Sequence, residues 1–456
     1  MHQSIIKVIS TWISGLALVL LSSPAFAQTS QPYEMTVNGV KVIVQPSGNE
    51  IVEIRTIIKG GVQNYTADKA GIESLAMTAL TECGTEKESK NSFKDQLDRV
   101  SAVVQGSAGM DYAYLRLNCI KSDLDAVWPL YIDALTIPAF DSTEFKRIKQ
   151  NAINQLRSAA SQPDHAIDKL AKETAFAGKD YAKDPNGTEE TVSRITPEAA
   201  HAYYRSILTR SRLVIVVVAD INRSELEKKI SELTTAIPQG QPFKPVRYSY
   251  SPRKNSLRTE KKDLATNYIE GITAAPQPGS KDFNAYILAT RIFYDRHFLE
   301  VRTNNGLSYA PIIRLADGLT PYTSIQVSTT DPDKYKAVLD QVIGKIKKEG
   351  FTPEEVKNGK TVYLTSFYYK METNSAQAAS LASNEIQFNN WRRALTFNED
   401  LKKVTLSDVN QAFDKYVNHI TWVYQGDTAK VNPALYMNEA TKSKLPDSKL
   451  KTGNKD

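Results

Sequence analysis

The sequence predicts an α+β fold made by tandem duplication, two homologous units within 456 residues. Three observations carry this reading. The chain is too long for one ordinary core and suits two domains. Blocks recur in one order at nearly one offset: FDSTEFKRIKQNAINQL at Phe140 matches FTPEEVKNGKTVYLTSF at Phe351, an offset of 211. ITPEAAHAYY at Ile195 matches VTLSDVNQAF at Val404 (209), and Ala219-Asp220 matches Gly426-Asp427 (207). Finally, β-branched runs alternate with amphipathic stretches along the chain.

Taken in order, residues 1–27 read as a cleaved secretory signal. Lys7 gives the positive region, Trp12 to Leu21 the apolar region, and Ala25-Phe26-Ala27 the cleavage site. The expectation is a soluble mature chain beginning near Gln28, exported across the inner membrane to the periplasm. Val40 to Val44 and Ile51 to Ile58 predict a hairpin around Pro46-Ser47-Gly48-Asn49. Ala70-Gly71 opens the helix IESLAMTALTE, closed by Cys83-Gly84-Thr85, and a second helix covers Phe93 to Val100. The strand VSAVVQGS follows, then MDYAYLRLNCI, with Tyr112, Tyr114 and Leu117 near a period of two. Asp123 to Leu135 is amphipathic, and Ser142 to Ala160 puts Phe145, Ile148, Ala152 and Leu156 on one helix face. Thr196 caps a helix with Pro197 at its first position. Leu213 to Ala219 reads as a fully buried strand and Ser224 to Thr234 as a closing helix.

Pro238, Pro242, Pro245 and Pro252 mark a linker. The predicted organisation is therefore a first domain over 28–237, a linker over 238–262, a second domain over 263–438 and a flexible tail over 439–456. The 57 basic and 51 acidic residues are scattered, which excludes a nucleic-acid footprint. Cys83 and Cys119 are too few for a disulfide framework and are expected as buried thiols, one bridge being permitted.

The second unit contains the most informative stretch, FLEVRTNNGLSYA from Phe298. It ends an apolar-faced helix (Phe283, Ile287, Thr290, Val301), which breaks at Asn304-Asn305-Gly306 before a short strand, LSYAPIIRL. Arg302 and Tyr309 thus flank a tight turn and can point at one spot. A guanidinium and a phenol suit a peptide carbonyl or a developing oxyanion. Neither hydrolyses a peptide alone. Outside the leader the histidines are His165, His201, His297 and His419, and no helix can present two of them at i and i+4.

Together with the duplication, AGIESLAMTALTECGT, VSAVVQGSAGMDYAYLRL with LYIDALTIPAF, the helix from Glu144, ITPEAAHAYY and EVRTNNGLSYA resemble the pitrilysin/insulinase (inverzincin) peptidases. The likeness is to the small bacterial and mitochondrial-processing-peptidase-like branch. The resemblance implies two homologous domains, each a mixed β-sheet with helices on one side. Two such halves, or two such chains, would enclose a chamber. Peptidases of this family carry H-x-x-E-H on the first-domain helix, two His for zinc and a Glu as general base. Here Ser74-Leu75-Ala76-Met77-Thr78 stands there, and the third ligand position falls at Asn154 or Gln155.

The resemblance therefore implies a chain with no metal ligands and no cofactor of its own, zinc being expected in a paralogous partner. Arg302 and Tyr309 match the family's carbonyl-binding pair. Val103, Val104, Gln105, Gly106 and Ser107 match the strand that adds an extended peptide to the sheet edge. The expected function is the zinc-less half of a heterodimeric metallopeptidase acting on unfolded peptides; the alternative is a non-catalytic scaffold or peptide-binding protein. Three lesser expectations are that Glu73 and His297 lie on helix surfaces, and that Phe367-Tyr368-Tyr369 is core packing with one phenol reaching solvent.

Overall fold

Eleven strands form two sheets in the computed structural model, which describes residues 31–437. The expected secretory leader and the whole of the expected tail lie outside the described residues. The first sheet holds β1 (Tyr33–Val37), β2 (Val40–Pro46), β3 (Ile51–Lys59), β4 (Val103–Ala108), β5 (Tyr112–Ile120) and β6 (Leu213–Ala219), ordered β1-β2-β6-β3-β5-β4. The second holds β7 (Ser256–Lys261), β8 (Asn267–Ala274), β9 (Ile312–Ala316), β10 (Tyr322–Thr329) and β11 (Ile420–Gly426), ordered β7-β11-β8-β10-β9. Without β1 the sheets share one topology. Each has a parallel pair at one side (β2 with β6, β7 with β11), followed by antiparallel pairings to the far edge. The duplication read from repeated blocks is therefore also written in the hydrogen bonding.

Four local expectations change. β2 and β3 are not a hairpin, because β6 lies between them, parallel to one and antiparallel to the other. The hairpin is β1–β2, turned by Asn38-Gly39 with φ of 50° and 82°, the left-handed pair such turns need. The predicted linker over 238–262 ends in β7, which pairs with β11 through Thr421 to Gly426. LSYAPIIRL becomes a strand only from Ile312. In β5, Ala113, Leu115, Leu117 and Cys119 share the buried face and Tyr112 and Tyr114 the other, so Leu117 does not lie with the tyrosines.

The first half carries α1 (Ile72–Glu82), α2 (Lys90–Asp98), α3 (Leu124–Thr136), α4 (Ser142–Ala160), α5 (Pro163–Ala175), α6 (Glu189–Arg194), α7 (Pro197–Ile207) and α8 (Arg223–Thr235). The second carries α9 (Phe283–Phe298), α10 (Pro332–Glu349), α11 (Pro353–Lys370), α12 (Asn374–Phe388), α13 (Arg393–Lys403), α14 (Leu406–Tyr416) and α15 (Pro433–Met437). The Thr196 side chain accepts from the Ala199 N–H, as the capping signal predicted. Cys83 and Cys119 are buried free thiols.

The mixed α+β architecture stands, but helices do not stay on one side. Each half sends a helix across the other half's sheet. From the second half, α12 lays Ala378, Leu381, Ala382 and Ile386 on the outer face of the first sheet, against Ile43, Ile57, Val214, Val216 and Val218. From the first half, α5 packs on β8 and β11. This is why LVIVVVA of β6 is buried at every position: it is central in its sheet and covered on both faces. Each such Leu or Ile contributes about 1.5–3 kcal/mol on burial, so the exchange joins the halves firmly. Polar contacts fix it. Arg55 donates to the Ser375 carbonyl and hydroxyl at 3.0 and 2.9 Å. Asn374 donates to the Ile51 carbonyl at 2.6 Å.

Candidate functional site

The turn after α9 is shaped by its last residues. Leu299–Asn304 widens into a π-helical turn, the Leu307 N–H closes on the Val301 carbonyl at 2.8 Å, and Gly306 takes φ 60°. Asn305 Nδ2 donates to the Glu300 carbonyl at 3.0 Å and stiffens the bend. Val301 is fully buried and anchors the turn, leaving Arg302 on the outer side. The Arg302 guanidinium carbon sits 4.1 Å from the Tyr309 ring centroid and 5.1 Å from that of Phe298. Among the described residues it forms no ion pair or hydrogen bond. Stacking on aromatic faces orients a guanidinium while leaving its N–H fork available to an acceptor. Tyr309 is 79% exposed, so its hydroxyl stands in the open beside that fork. The sequence placed these two residues across one turn, and they do meet.

The expected strand is β4, last in its sheet, with β5 alone beside it among the described residues. Val103 and Gln105 are exposed, Val104 is buried, and Gly106 and Ser107 are half-buried. A Cβ on Gly106 would lie 2.0 Å from the Met77 carbonyl oxygen, so glycine is what lets β4 rest on α1.

Between α1 and α4 lies a groove of ≈ 410 Å³, lined by Ser74, Thr78, Asn151, Gln155, His165 and Asn186 among others. Of the two third-ligand positions, Gln155 lines this groove, while Asn154 accepts from Gln150 at 3.1 Å. Zinc takes imidazole, thiolate or carboxylate ligands gathered at one point, and the His165, Glu82 and Asp184 of this lining are not gathered into such a set. Ser74 Oγ donates to Asn186 Oδ1 at 3.3 Å and Thr78 Oγ1 to the Ser74 carbonyl at 2.8 Å. Glu82 at the rim is held by Lys94 (2.7 Å) and Arg147 (2.9 Å). Among the described residues no group of three or more His, Cys, Asp or Glu could hold a metal ion.

The lesser expectations are corrected. Glu73 is 1% exposed, not on a surface: it turns inward from α1 and accepts from Asn64 Nδ2 at 2.9 Å and from the Tyr203 hydroxyl. Burial pushes its carboxyl up to about 7, against those two hydrogen bonds and the Arg212 charge. His297 is fully buried, Nε2 3.1 Å from the Tyr335 hydroxyl, and burial pulls it down to about 3. Tyr368 and Tyr369 are both exposed, while Phe367 lines a groove in the second half, because α11 turns two phenols outward. Sequence reasoning missed Asp111. Its carboxylate accepts from the Tyr181 hydroxyl at 2.5 Å and the Leu319 N–H at 3.0 Å, which joins the halves. No local pattern announces it.

Fold and site together give a duplicated peptidase-like chain with an Arg302–Tyr309 pair on an outer turn and, among the described residues, no cluster of metal-type donors. Residues 194–363, which include Arg302 and Tyr309, match the family described as the peptidase M16 inactive domain. The chain is 19% identical to cytochrome b-c1 complex subunit 1, mitochondrial, of Caenorhabditis elegans, over 83% of this chain and 84% of that one. The crystal structure of a peptidase M16 inactive domain from Pseudomonas fluorescens shares the fold (TM-score 0.79, 18% identity), covering 89% of this chain and all of the other. The periplasmic protease PqqL from Escherichia coli shares it at TM-score 0.76 and 14% identity, over 88% of this chain and 47% of PqqL. The match over residues 194–363 and the shared fold agree with the resemblance to the pitrilysin/insulinase peptidases read from the sequence.

Proposed function

We propose that this protein is the non-zinc-binding component of a two-chain metallopeptidase. Arg302 and Tyr309 would bind the substrate carbonyl, and a paralogous chain would supply zinc and the general base. The observation that carries this is the stacked pair of a half-buried Arg302 and an exposed Tyr309, 4.1 Å from guanidinium carbon to ring centroid, with no counter-ion among the described residues. Such a pair stabilises charge developing on a carbonyl oxygen and is worth a few kcal/mol in a water-excluded site. It has no chemistry without a nucleophile. β4, with a free edge, would hold the extended peptide through main-chain hydrogen bonds, which makes recognition tolerant of sequence. The substrates are unfolded peptides, and the periplasm is the compartment that the leader suggests.

One observation favours a second reading. The likeness to the cytochrome b-c1 subunit runs through most of this chain, which suits a non-catalytic scaffold of the same family. Purification of the chain alone and with a zinc-bearing paralogue separates the two. The first reading expects no peptide cleavage by the lone chain and cleavage by the pair. Robust zinc-dependent cleavage by the lone chain contradicts both readings, and a pair no faster than the paralogue alone favours the scaffold.

A further inference from the structure

The second half has a pocket of ≈ 710 Å³ between α9, α11, α12, α13 and the edge strand β9; neither Arg302 nor Tyr309 lines it. This volume is in the range of small-ligand sites. Phe283, Ile287, Tyr363, Phe388 and Phe397 give it an aromatic and aliphatic wall. Arg393 stands in that wall with its guanidinium carbon 4.1 Å from the Phe388 ring centroid and 5.4 Å from those of Phe283 and Phe397. It donates to Asn284 Oδ1, and the Asp400 and Asp317 carboxylates lie close enough to stabilise its charge. Burial lowers its pKa by more than those two charges raise it, so the protein still bears a cost in keeping this charge where it is.

Arg291, in the same wall, pairs with Asp295 at 2.7 Å, but its buried Nε–H has no partner. The third arginine, Arg314, is paired with Asp168 at 2.9 Å. The wall's anion, Asp317, accepts from Gln387 at 3.5 Å. Aromatic surface around a half-buried guanidinium, whose burial cost Asp400 and Asp317 offset only in part, is complementary to an apolar group that carries a carboxylate.

We propose that this pocket binds the free C-terminal residue of a peptide. The aromatic or branched aliphatic side chain lies against the phenyl wall, the carboxylate is held by Arg393, and the Arg291 Nε–H is a further donor in the same wall. The site needs nothing from a zinc-bearing partner and stands or falls apart from the function proposed above. The test is calorimetric titration of the full chain alone with N-acetyl-Leu-Phe bearing a free carboxylate, and with its C-terminal amide. Saturable binding of the acid is expected, with the amide at least about tenfold weaker, the factor one charge-assisted hydrogen bond supplies. Arg393→Gln should weaken the acid by about the same factor. If that variant unfolds at a lower temperature, Ser366→Trp, which fills the pocket, decides: it should abolish binding. Equal binding of acid and amide, no binding of either, or undiminished binding by Ser366→Trp overturns the proposal.

Discussion

Glu73→Gln should change how stability depends on pH more than it changes stability at any one pH. The Glu73 carboxyl, ordinarily near 4.5, is pushed to about 7 by burial in the fold. The folded state therefore holds a proton that the unfolded chain releases, and stability falls as pH rises from 4.5 through 7. At about 1.4 kcal/mol per unit, the fall between pH 4.5 and 8 is about 3 kcal/mol. Above pH 8 the fall is complete; below 4.5 both states are protonated. In Glu73→Gln this slope disappears. The glutamine carbonyl can take the place of Oε2, which accepts from Asn64 and Tyr203. Its amide then occupies the position of Oε1, which is buried without a partner, so the variant is less stable at low pH but flatter. Glu270, also raised to about 7 by burial, gives a slope of the same sign in both proteins, so the difference between them reports Glu73. Urea unfolding of both proteins across pH 4.5–8 measures it. Parallel stability curves would refute the reasoning.

Asp111→Ala strands the Tyr181 hydroxyl and the Leu319 N–H in the interior, and should cost about 3 kcal/mol by urea midpoint. A loss under about 0.5 kcal/mol means Asp111 does not join the halves. The folded pKa of His297 lies near 3 against 6.5 unfolded, so the stability it confers is complete above pH 6.5 and is lost as pH falls. His297→Phe should remove about 2 kcal/mol of the acid-side loss between pH 6.5 and 4.5, read by denaturant titration at both ends. Gly106→Ala puts a methyl 2.0 Å from the Met77 carbonyl oxygen and should lower stability by at least about 2 kcal/mol in thermal unfolding; an unchanged midpoint means β4 can lift from α1 freely.

Much of the fold was legible because the chain states it twice. The offset blocks give the duplication, and α1 runs Ile72–Glu82 as the pattern between Gly71 and Cys83 predicts. What was not legible depends on partners far away in sequence. β2 and β3 are separated by β6, and no feature of either strand names that neighbour, although Asn38-Gly39 did offer a readable hairpin signal. The exchange of α5 and α12 is hidden for the same reason: an amphipathic face shows that something covers it, not what. The burial of Glu73 depends on Tyr203, 130 positions on, and on Asn64. Arg302 and Tyr309 were within reach of sequence because one short turn, closed by Gly306, brings them together.

The direct test of the central claim is the cleavage rate of an unfolded peptide by the reconstituted pair. It compares the unmodified chain with Arg302→Ala and Tyr309→Phe, each mixed with the same zinc-bearing paralogue. If these residues act on the partner's substrate, Arg302→Ala lowers kcat/KM by about 10²–10³-fold, the cost of losing one oxyanion-type donor. Tyr309→Phe should lower it less while pairing with the paralogue is retained. Rates equal to the unmodified pair in both variants would contradict the account.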